Sequence, residues 1–257
     1  MFAYTDVVIG CVVLFWIHLS ACRVTDVSTS SDPICTFVAA TNVANLELYH
    51  DWICNSSGQT ASDPCGWKGV ACSHSNITAL LINDRALTGT IPSDLGYISQ
   101  LSSLELYQNY LYGSLPSQLG YASLLHSLAL NGNCLSGAIP TSIGTLSLLN
   151  YLNLDGNLFS GSIPDSLCSL LLLQSLYLNN NMLTGSVPST IGSLTLLVVL
   201  DLFQNSLQGT LPASLGCLVG LTQLSLSSNM LSGTLPSALG YLSRLSELVV
   251  NSNLLAG

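Results

Sequence analysis

A period of 24 residues runs through the chain from residue 77 to its end, without insertion or deletion. Two consecutive units, residues 101–124 and 125–148, read LSSLELYQNYLYGSLPSQLGYASL and LHSLALNGNCLSGAIPTSIGTLSL. Seven full units span residues 77–244, and a partial eighth follows. A unit this short cannot bury its own apolar face, so successive units must stack and share one core. The sequence therefore predicts a repeat architecture that grows along one axis.

Three residue types mark fixed positions of the unit. Asparagine recurs at positions 109, 133, 157, 181, 205, 229 and 253. Glycine recurs at 89, 113, 137, 161, 185, 209, 233 and 257, and proline at 92, 116, 140, 164, 188, 212 and 236. We expect the asparagine to end a strand, bond the backbone and stack in a ladder. Glycine permits the next bend, and proline suits a turn or a sheet edge.

The apolar residues of each unit predict its strand and its core. In LxxLxL the last two leucines alternate, as on a short strand with one buried face. Leu104 and Leu106 are expected to stack on Leu128 and Leu130 in a parallel sheet with a spacing of about 4.8 Å. The segment after proline should return along the outer face and contribute Leu119 to the core. Because this outer path is longer than the strand, the strand side should be concave.

The unit LxxLxLxxNxLxGxIPxxLGxLxx resembles the plant-type extracellular leucine-rich repeat over residues 77–257. The resemblance implies an α/β solenoid, a curved right-handed superhelix with a parallel concave sheet and a disulfide-bonded N-terminal cap. It also implies that GxIP forms a second short strand. The first unit departs from the pattern, since Arg85 stands where asparagine is expected.

Residues 32–76 resemble the N-terminal cap of this family, through Trp52 and the segment DPCGWKGVAC at 63–72. We expect a helix from about Pro33 to His50, with Asp32 as its N-cap, covering the open edge of the first unit. Two sequons, at Asn55 and Asn76, predict glycosylation in or beside this cap.

The cap contains four of the nine cysteines, Cys35, Cys54, Cys65 and Cys72. In an oxidising compartment they suggest two disulfides, for which three connectivities exist, and a zinc site is the alternative. The family resemblance favours Cys65 with Cys72, which leaves Cys35 with Cys54. The cysteines of the repeats are expected to be buried free thiols, because Cys168 and Cys217 lie two units apart, beyond disulfide reach. The remaining cysteine of the repeats, Cys134, is also expected to be a buried free thiol.

Residues 1–22 are expected to be a signal peptide or a retained anchor, since residues 7–21 are almost unbroken apolar sequence. The segment lacks the usual basic start and carries Asp6 instead. Either interpretation places the chain in the secreted space or on the extracellular face of the plasma membrane. At the other end, residues 77–257 close without a C-terminal cap. The sequence thus predicts a fragment of a longer repeat protein.

Charge and motifs exclude several functional classes. Only 7% of residues are charged and the net charge is −9, which argues against nucleic acid and anionic membranes as partners. No nucleophile elbow, phosphate loop or paired-histidine motif occurs, so we expect no catalytic residues, no metal and no cofactor. A kinase is excluded within this chain, because its single lysine, Lys68, lies in the cap. Asp155 and Asp201 could form an acid pair, but solvated surface acids are the better interpretation.

The predicted binding site is the concave face. Aromatic side chains among short polar and acidic ones are typical anchors for peptides, proteins or sugars. The candidate ligand-binding residues are Glu105, Tyr107, Asn153, Asp155, Tyr177, Asn179, Asp201 and Phe203. A second surface, for a lateral partner, would be a row of leucines at the last position of four units, unless these fold under the turn. It consists of Leu124, Leu148, Leu172 and Leu196.

The resemblance implies recognition of a protein or peptide ligand, with carbohydrate as another option. The first hypothesis is the recognition part of a cell-surface receptor, or a fragment of one. The alternatives are a secreted inhibitor of a wall-degrading enzyme, similar to polygalacturonase-inhibiting proteins, and an ice- or wall-binding structural protein built on flat, Ser/Thr-rich faces.

Overall fold

The main sheet of the molecule is parallel and grows by one strand per unit. The computed structural model describes residues 32–43, 52–55 and 57–256, so the predicted leader at 1–22 lies outside the described residues. An antiparallel strand pair from the cap, β1 and β2, begins the sheet, whose order is β1-β2-β4-β6-β8-β10-β12-β14-β16. Its strands are β1 (Val70–Ser73), β2 (Asn76–Leu81), β4 (Ser103–Glu105), β6 (Ser127–Ala129), β8 (Tyr151–Asn153), β10 (Ser175–Tyr177), β12 (Val199–Asp201), β14 (Gln223–Ser225) and β16 (Glu247–Val249).

The GxIP segments form a second layer of short parallel strands, as the resemblance implies. One sheet contains β3 (Thr88–Gly89), β5 (Tyr110–Ser114), β7 (Cys134–Ala138), β9 (Leu158–Ser162) and β11 (Met182–Thr184). A separate sheet contains β13 (Gln208–Thr210), β15 (Met230–Gly233) and β17 (Leu254–Leu255). The outer side of the units is made of 3-10 helices at Ser93–Tyr97, Ser117–Tyr121, Thr141–Thr145, Asp165–Ser169, Ser189–Ser193, Ala213–Cys217 and Ser237–Tyr241.

A single apolar core runs along the axis between these layers. Leu104, Leu106, Leu128 and Leu130 are fully buried, and Leu119 reaches the same core from the outer 3-10 helix. Consecutive strands pair in exact 24-residue register, so that Leu104 lies beside Leu128. The predicted leucine-rich-repeat solenoid, with its parallel sheet and disulfide-bonded cap, is therefore confirmed.

The asparagine ladder is held by backbone bonds and not by bonds between asparagines. The Asn133 amide nitrogen donates to the carbonyl of Leu130 in its own unit and to that of Leu106 in the preceding unit, both at 3.0 Å. Its oxygen accepts the N–H of Leu111 at 3.0 Å. The same pattern repeats at the other ladder positions, for example at Asn157. Each asparagine thus ties two units together where no strand hydrogen bond is available.

The cap packs on the first unit through one short helix and a cluster of aromatic rings. Helix α1 spans Pro33–Ala40, and the Asp32 carboxylate accepts the N–H of Ile34 at 3.0 Å, as predicted for the N-cap. The expected continuation towards His50 is wrong, because Thr41 is extended and pairs with Gly89. Residues 44–51 lie outside the described residues.

Two disulfides fix the cap. Cys35 is bonded to Cys54, with 5.8 Å between their Cα atoms, and Cys65 is bonded to Cys72, with 5.6 Å. These are the pairings that the family resemblance favours, and they leave none of these four thiols for zinc.

The cysteines of the repeats correct part of the expectation from sequence. Cys168 is a buried free thiol, as predicted. Cys217 is free but exposed, because it occupies the last position of its 3-10 helix, where the side chain faces outward. Cys134 is disulfide-bonded, so the expectation of a free thiol there is wrong. No bond joins Cys168 to Cys217, in agreement with their separation by two units.

The last described unit exposes part of its apolar face. Leu248 and Leu254 are exposed, at 41% and 69%, and Leu245, Val250 and Leu255 are half-buried. Within the described residues, no helix has both the length and the hydropathy of a bilayer-spanning segment.

A glycine in the outer 3-10 helix marks the closest approach of successive units. A Cβ added to Gly216 would overlap the carbonyl oxygen of Ala238 in the next unit and lie 2.6 Å from its Cβ. Gly240, one unit later, has nothing within 4 Å of an added Cβ. The same position is filled by Cys168 in one unit, where Thr190 is its hydrogen-bond partner, so the stack can widen there.

We therefore expect Gly216→Ala to destabilise the protein by about 1–3 kcal/mol, since backbone must shift to admit the methyl group. Gly240→Ala, the matched control, should be neutral or stabilising by up to about 1 kcal/mol, because only the unfolded chain loses freedom. Urea unfolding of both variants measures the difference. Equal free energies of unfolding would mean that the outer turns are not in tight contact.

Candidate binding face

The concave strands from β4 to β14 bury their second residue and direct the first and third towards the concave surface. On β8, Leu152 is buried, while Tyr151 and Asn153 are both partly exposed. The outward positions predicted from the sequence are the third strand residue and the one two places beyond it, so Tyr151 is not among the predicted site residues. The signal was present, because alternation along a strand places residues two apart on the same face. The overlooked row comprises Ser103, Ser127, Tyr151, Ser175, Val199, Gln223 and Glu247.

A shallow depression of about 420 Å³ lies on the concave face across β4, β6 and β8. Glu105, Tyr107 and Asn153 line it, as do Asn131 and Tyr151. Ala129 is nearly buried at its base, so the absence of a larger side chain there makes room. The structure thus brings together three of the predicted ligand-binding residues around one concavity.

Two tyrosines separate this depression from the rest of the face. The ring centroids of Tyr151 and Tyr177 are 5.9 Å apart, with an angle of 52° between the ring planes. The Asn153 amide donates to the Tyr151 hydroxyl at 3.1 Å. Burial raises the pKa of the Tyr177 hydroxyl, and the nearby Tyr151 and Asp201 raise it further. The pair is a fixed aromatic surface with edge-to-face character.

Beyond the tyrosines, Asp155 is the centre of a polar group. One of its carboxylate oxygens accepts the amide N–H groups of Asn179 at 2.7 Å and Asn180 at 2.8 Å. Burial raises the pKa of the Asp155 carboxyl, and the charge of Asp201 adds to the effect, while the bond from Asn180 opposes it. Asn179 is only 9% exposed, so it supports Asp155 more than it offers surface to a ligand.

Asp201 lies directly beside Tyr177 in the sheet register. Its carboxylate accepts the backbone N–H of Phe203 at 3.0 Å. Burial raises the pKa of the Asp201 carboxyl, bonds from Phe203 and Ser225 lower it, and the charge of Glu247 raises it. Asp155 and Asp201 are surface acids that are partly buried, because neighbouring side chains on the curved sheet remove part of their hydration.

The solenoid supplies no counter-ion for these carboxylates. No lysine, arginine or histidine occurs between His126 and Arg244. Among the described residues, no group of three or more histidine, cysteine or acidic side chains could hold a metal ion. The units between His126 and Arg244 therefore carry acidic side chains beside aromatic rings without a basic residue of their own.

The leucine row predicted for a lateral partner is exposed only in its second half. Leu172 and Leu196 are exposed, at 44% and 49%, whereas Leu124 and Leu148 are half-buried under the turn. A lateral partner on this row stays a prediction, and the exposed part of the row is limited to Leu172 and Leu196. Both predicted glycosylation sites, Asn55 and Asn76, are exposed.

Comparison with known proteins finds leucine-rich repeats in part of the chain. Two leucine-rich-repeat families match the chain, one over residues 172–231 and the other over residues 148–170. A probable leucine-rich repeat receptor-like protein kinase of Arabidopsis thaliana is 33% identical over 65 residues. The chain is thus similar to plant leucine-rich-repeat receptor kinases. The match covers 24% of this chain but 7% of that kinase, so the chain corresponds to a small part of it.

Solved structures extend the likeness to most of the solenoid. PEPR1 bound to AtPEP1 superposes with a TM-score of 0.81 at 33% identity, over 87% of this chain and 31% of that one. The Arabidopsis receptor kinase HAESA, in complex with the peptide hormone IDA and the co-receptor SERK1, gives 0.66 at 29% identity, over 87% and 42%. A plant ice-binding protein gives 0.64 at 25% identity, over 90% and 89%.

Proposed function

We propose that the chain is an extracellular recognition module whose concave face binds a peptide or a segment of a protein, and that it binds without catalysing a reaction. The observation that carries the proposal is the continuous surface formed by the depression at Glu105 and Tyr107, the Tyr151–Tyr177 pair and the Asp155–Asp201 region. Aromatic anchors next to polar and acidic groups are typical of binding hot spots.

Two further features support this function. The strands that carry the face are held by the asparagine hydrogen bonds. Binding of a ligand therefore needs little conformational entropy loss to order this surface. Receptor kinases similar to this chain include HAESA, solved with a peptide hormone. Because the chain spans under half of HAESA and 7% of the receptor-like kinase, activity and partners of a whole receptor remain proposals for this protein.

Alanine scanning on both sides of the solenoid tests the proposal. Peptides selected by phage display against the full chain are titrated against Tyr177→Ala, Phe203→Ala and, as a matched control, Tyr241→Ala. Tyr241 is 75% exposed on the outer 3-10 helix. Each concave substitution should weaken binding by about 1–3 kcal/mol, because it removes aromatic contact area. If Tyr241→Ala weakens binding as much, the concave face is the wrong surface.

A second candidate, binding to an ordered surface such as ice, is favoured by one comparison. The plant ice-binding protein matches this chain over nearly its whole length. Exposed hydroxyl side chains also recur at one place in consecutive units, namely Ser162, Ser186, Thr210 and Thr234. However, the row contains two serines and two threonines, and the second sheet is divided between β11 and β13, so the surface is not one uniform strand layer. Inhibition of ice recrystallisation by the wild-type chain, lost in Thr210→Val, would favour this candidate over peptide recognition.

A further inference from the structure

The concave face contains one buried polar atom with no hydrogen-bond partner. Within the described residues, the side-chain oxygen of Asn179 is the buried side-chain atom left without one. Its amide nitrogen donates to the Asp155 carboxylate at 2.7 Å. Rotating the amide group to give the oxygen a partner would therefore break this bond. An unsatisfied buried acceptor costs about 1–3 kcal/mol. A donor that arrives with a ligand would offset this cost.

The same place has an excess of negative charge. Asp155 and Asp201 are both partly buried, and the Coulomb repulsion between them contributes to the raised pKa of Asp155. The nearest basic residues along the chain, His126 and Arg244, lie outside strands β8–β14. Two like charges that lose part of their water and repel each other are held at a cost that an incoming cation would relieve, even where hydrogen bonds stabilise each of them.

An aromatic surface stands beside these carboxylates. Tyr177 pairs in register with Asp201 on one side and with Asn153 on the other, so its ring lies next to both the acidic group and the depression. Tyr151 extends the aromatic surface towards the depression. A guanidinium or an ammonium group is attracted both by carboxylates and by the faces of aromatic rings.

We propose that Asp155, Asp201 and Asn179, with the Tyr151–Tyr177 pair beside them, form a subsite for a cationic group of the ligand, either a lysine or arginine side chain or an amino terminus. The inference rests on the proposed peptide-binding function and names the chemistry of its ligand. The cation bonds the Asp155 carboxylate, is attracted by the charge of Asp201, and brings N–H donors next to the Asn179 oxygen. The neighbouring depression then receives an adjacent residue of the same peptide.

The test compares two peptides that differ in one charge. Acetyl-Gly-Arg-Gly-amide and the same tripeptide with citrulline in place of arginine are titrated into the full chain and followed by NMR. Citrulline keeps the shape and most donors of arginine but is neutral. We expect the arginine peptide to bind about tenfold more tightly at neutral pH. Its advantage should diminish as the pH falls through the raised pKa range of the two carboxyls, because their protonated forms carry no charge.

Three variants locate the effect. Asp155→Asn and Asp201→Asn should each abolish most of the preference for arginine, whereas Asp165→Asn should keep it, since Asp165 is exposed in an outer 3-10 helix. Thermal unfolding checks that all three remain folded. An equal loss in Asp165→Asn would assign the preference to the general negative field and overturn the subsite.

The outcomes separate this inference from the proposed function. If the wild-type chain binds both peptides equally and Tyr177→Ala weakens both, the face binds peptides but has no cation subsite. If Tyr177→Ala changes neither affinity, or if neither peptide binds at millimolar concentration, the concave site itself is wrong for these ligands and the inference is overturned with it.

Discussion

Replacing Asn133 by alanine should destabilise the protein by about 3–5 kcal/mol, although the side chain contacts no ligand surface. Asn133 is fully buried and makes three bonds of 3.0 Å to the backbone. Alanine leaves the N–H of Leu111 and the carbonyls of Leu106 and Leu130 without this partner. The two carbonyls keep one bond each, from the neighbouring ladder asparagines, but the N–H of Leu111 cannot reach water without opening the stack, so its desolvation is uncompensated.

Asn131→Ala is the matched control for this prediction. Asn131 lies two residues earlier on the concave surface, is partly exposed and lines the depression. We expect its substitution to change the free energy of unfolding by less than about 0.5 kcal/mol. Guanidinium unfolding of both variants measures the two values. Similar small losses would show that the ladder asparagines are not the links between units.

Trp52→Ala, a separate variant, should lower the free energy of unfolding by about 3–5 kcal/mol, because it opens the cap. Trp52 is 1% exposed, and its ring lies between Phe37 at 6.1 Å and Trp67 at 5.1 Å. Its indole N–H donates to the Lys68 carbonyl at 3.0 Å. Alanine removes the ring and leaves a cavity between the cap helix and the first unit.

The location of this loss is as informative as its size. In a repeat protein each unit contacts only the adjacent units. A damaged cap should therefore destabilise the first units more than distant ones. Hydrogen exchange is therefore expected to accelerate at β2 and β4 and to change little at β14. Ile53→Ala, next to Trp52 but at a 55% exposed side chain, is the control and should have almost no effect. Uniform acceleration along the chain would contradict the repeat-by-repeat description.

The two predictions concern different parts of what the sequence could determine. The position of Asn133 follows from the 24-residue period, and a ladder could be expected from the residue type. Its partners Leu106 and Leu111 could not be predicted in this way, because they lie 27 and 22 residues away in the preceding unit. The sequence placed Trp52 in a cap through a motif, but only the packing shows that Phe37 and Trp67 enclose it.

The period of the sequence was enough to determine the strands, the inward leucines and the parallel stacking, because each depends on spacing within one unit. Alternation predicted the outward side chains from the third strand residue onward. It would have predicted Tyr151 too, had it been applied to the first residue of each strand. The tertiary structure decided what depends on contact between units or with the cap. It ends α1 at Ala40, where Thr41 meets Gly89, and it exposes Cys217. It also raises the pKa values of Asp155 and Asp201, because hydration at a concave surface is set by the neighbours that curvature brings together.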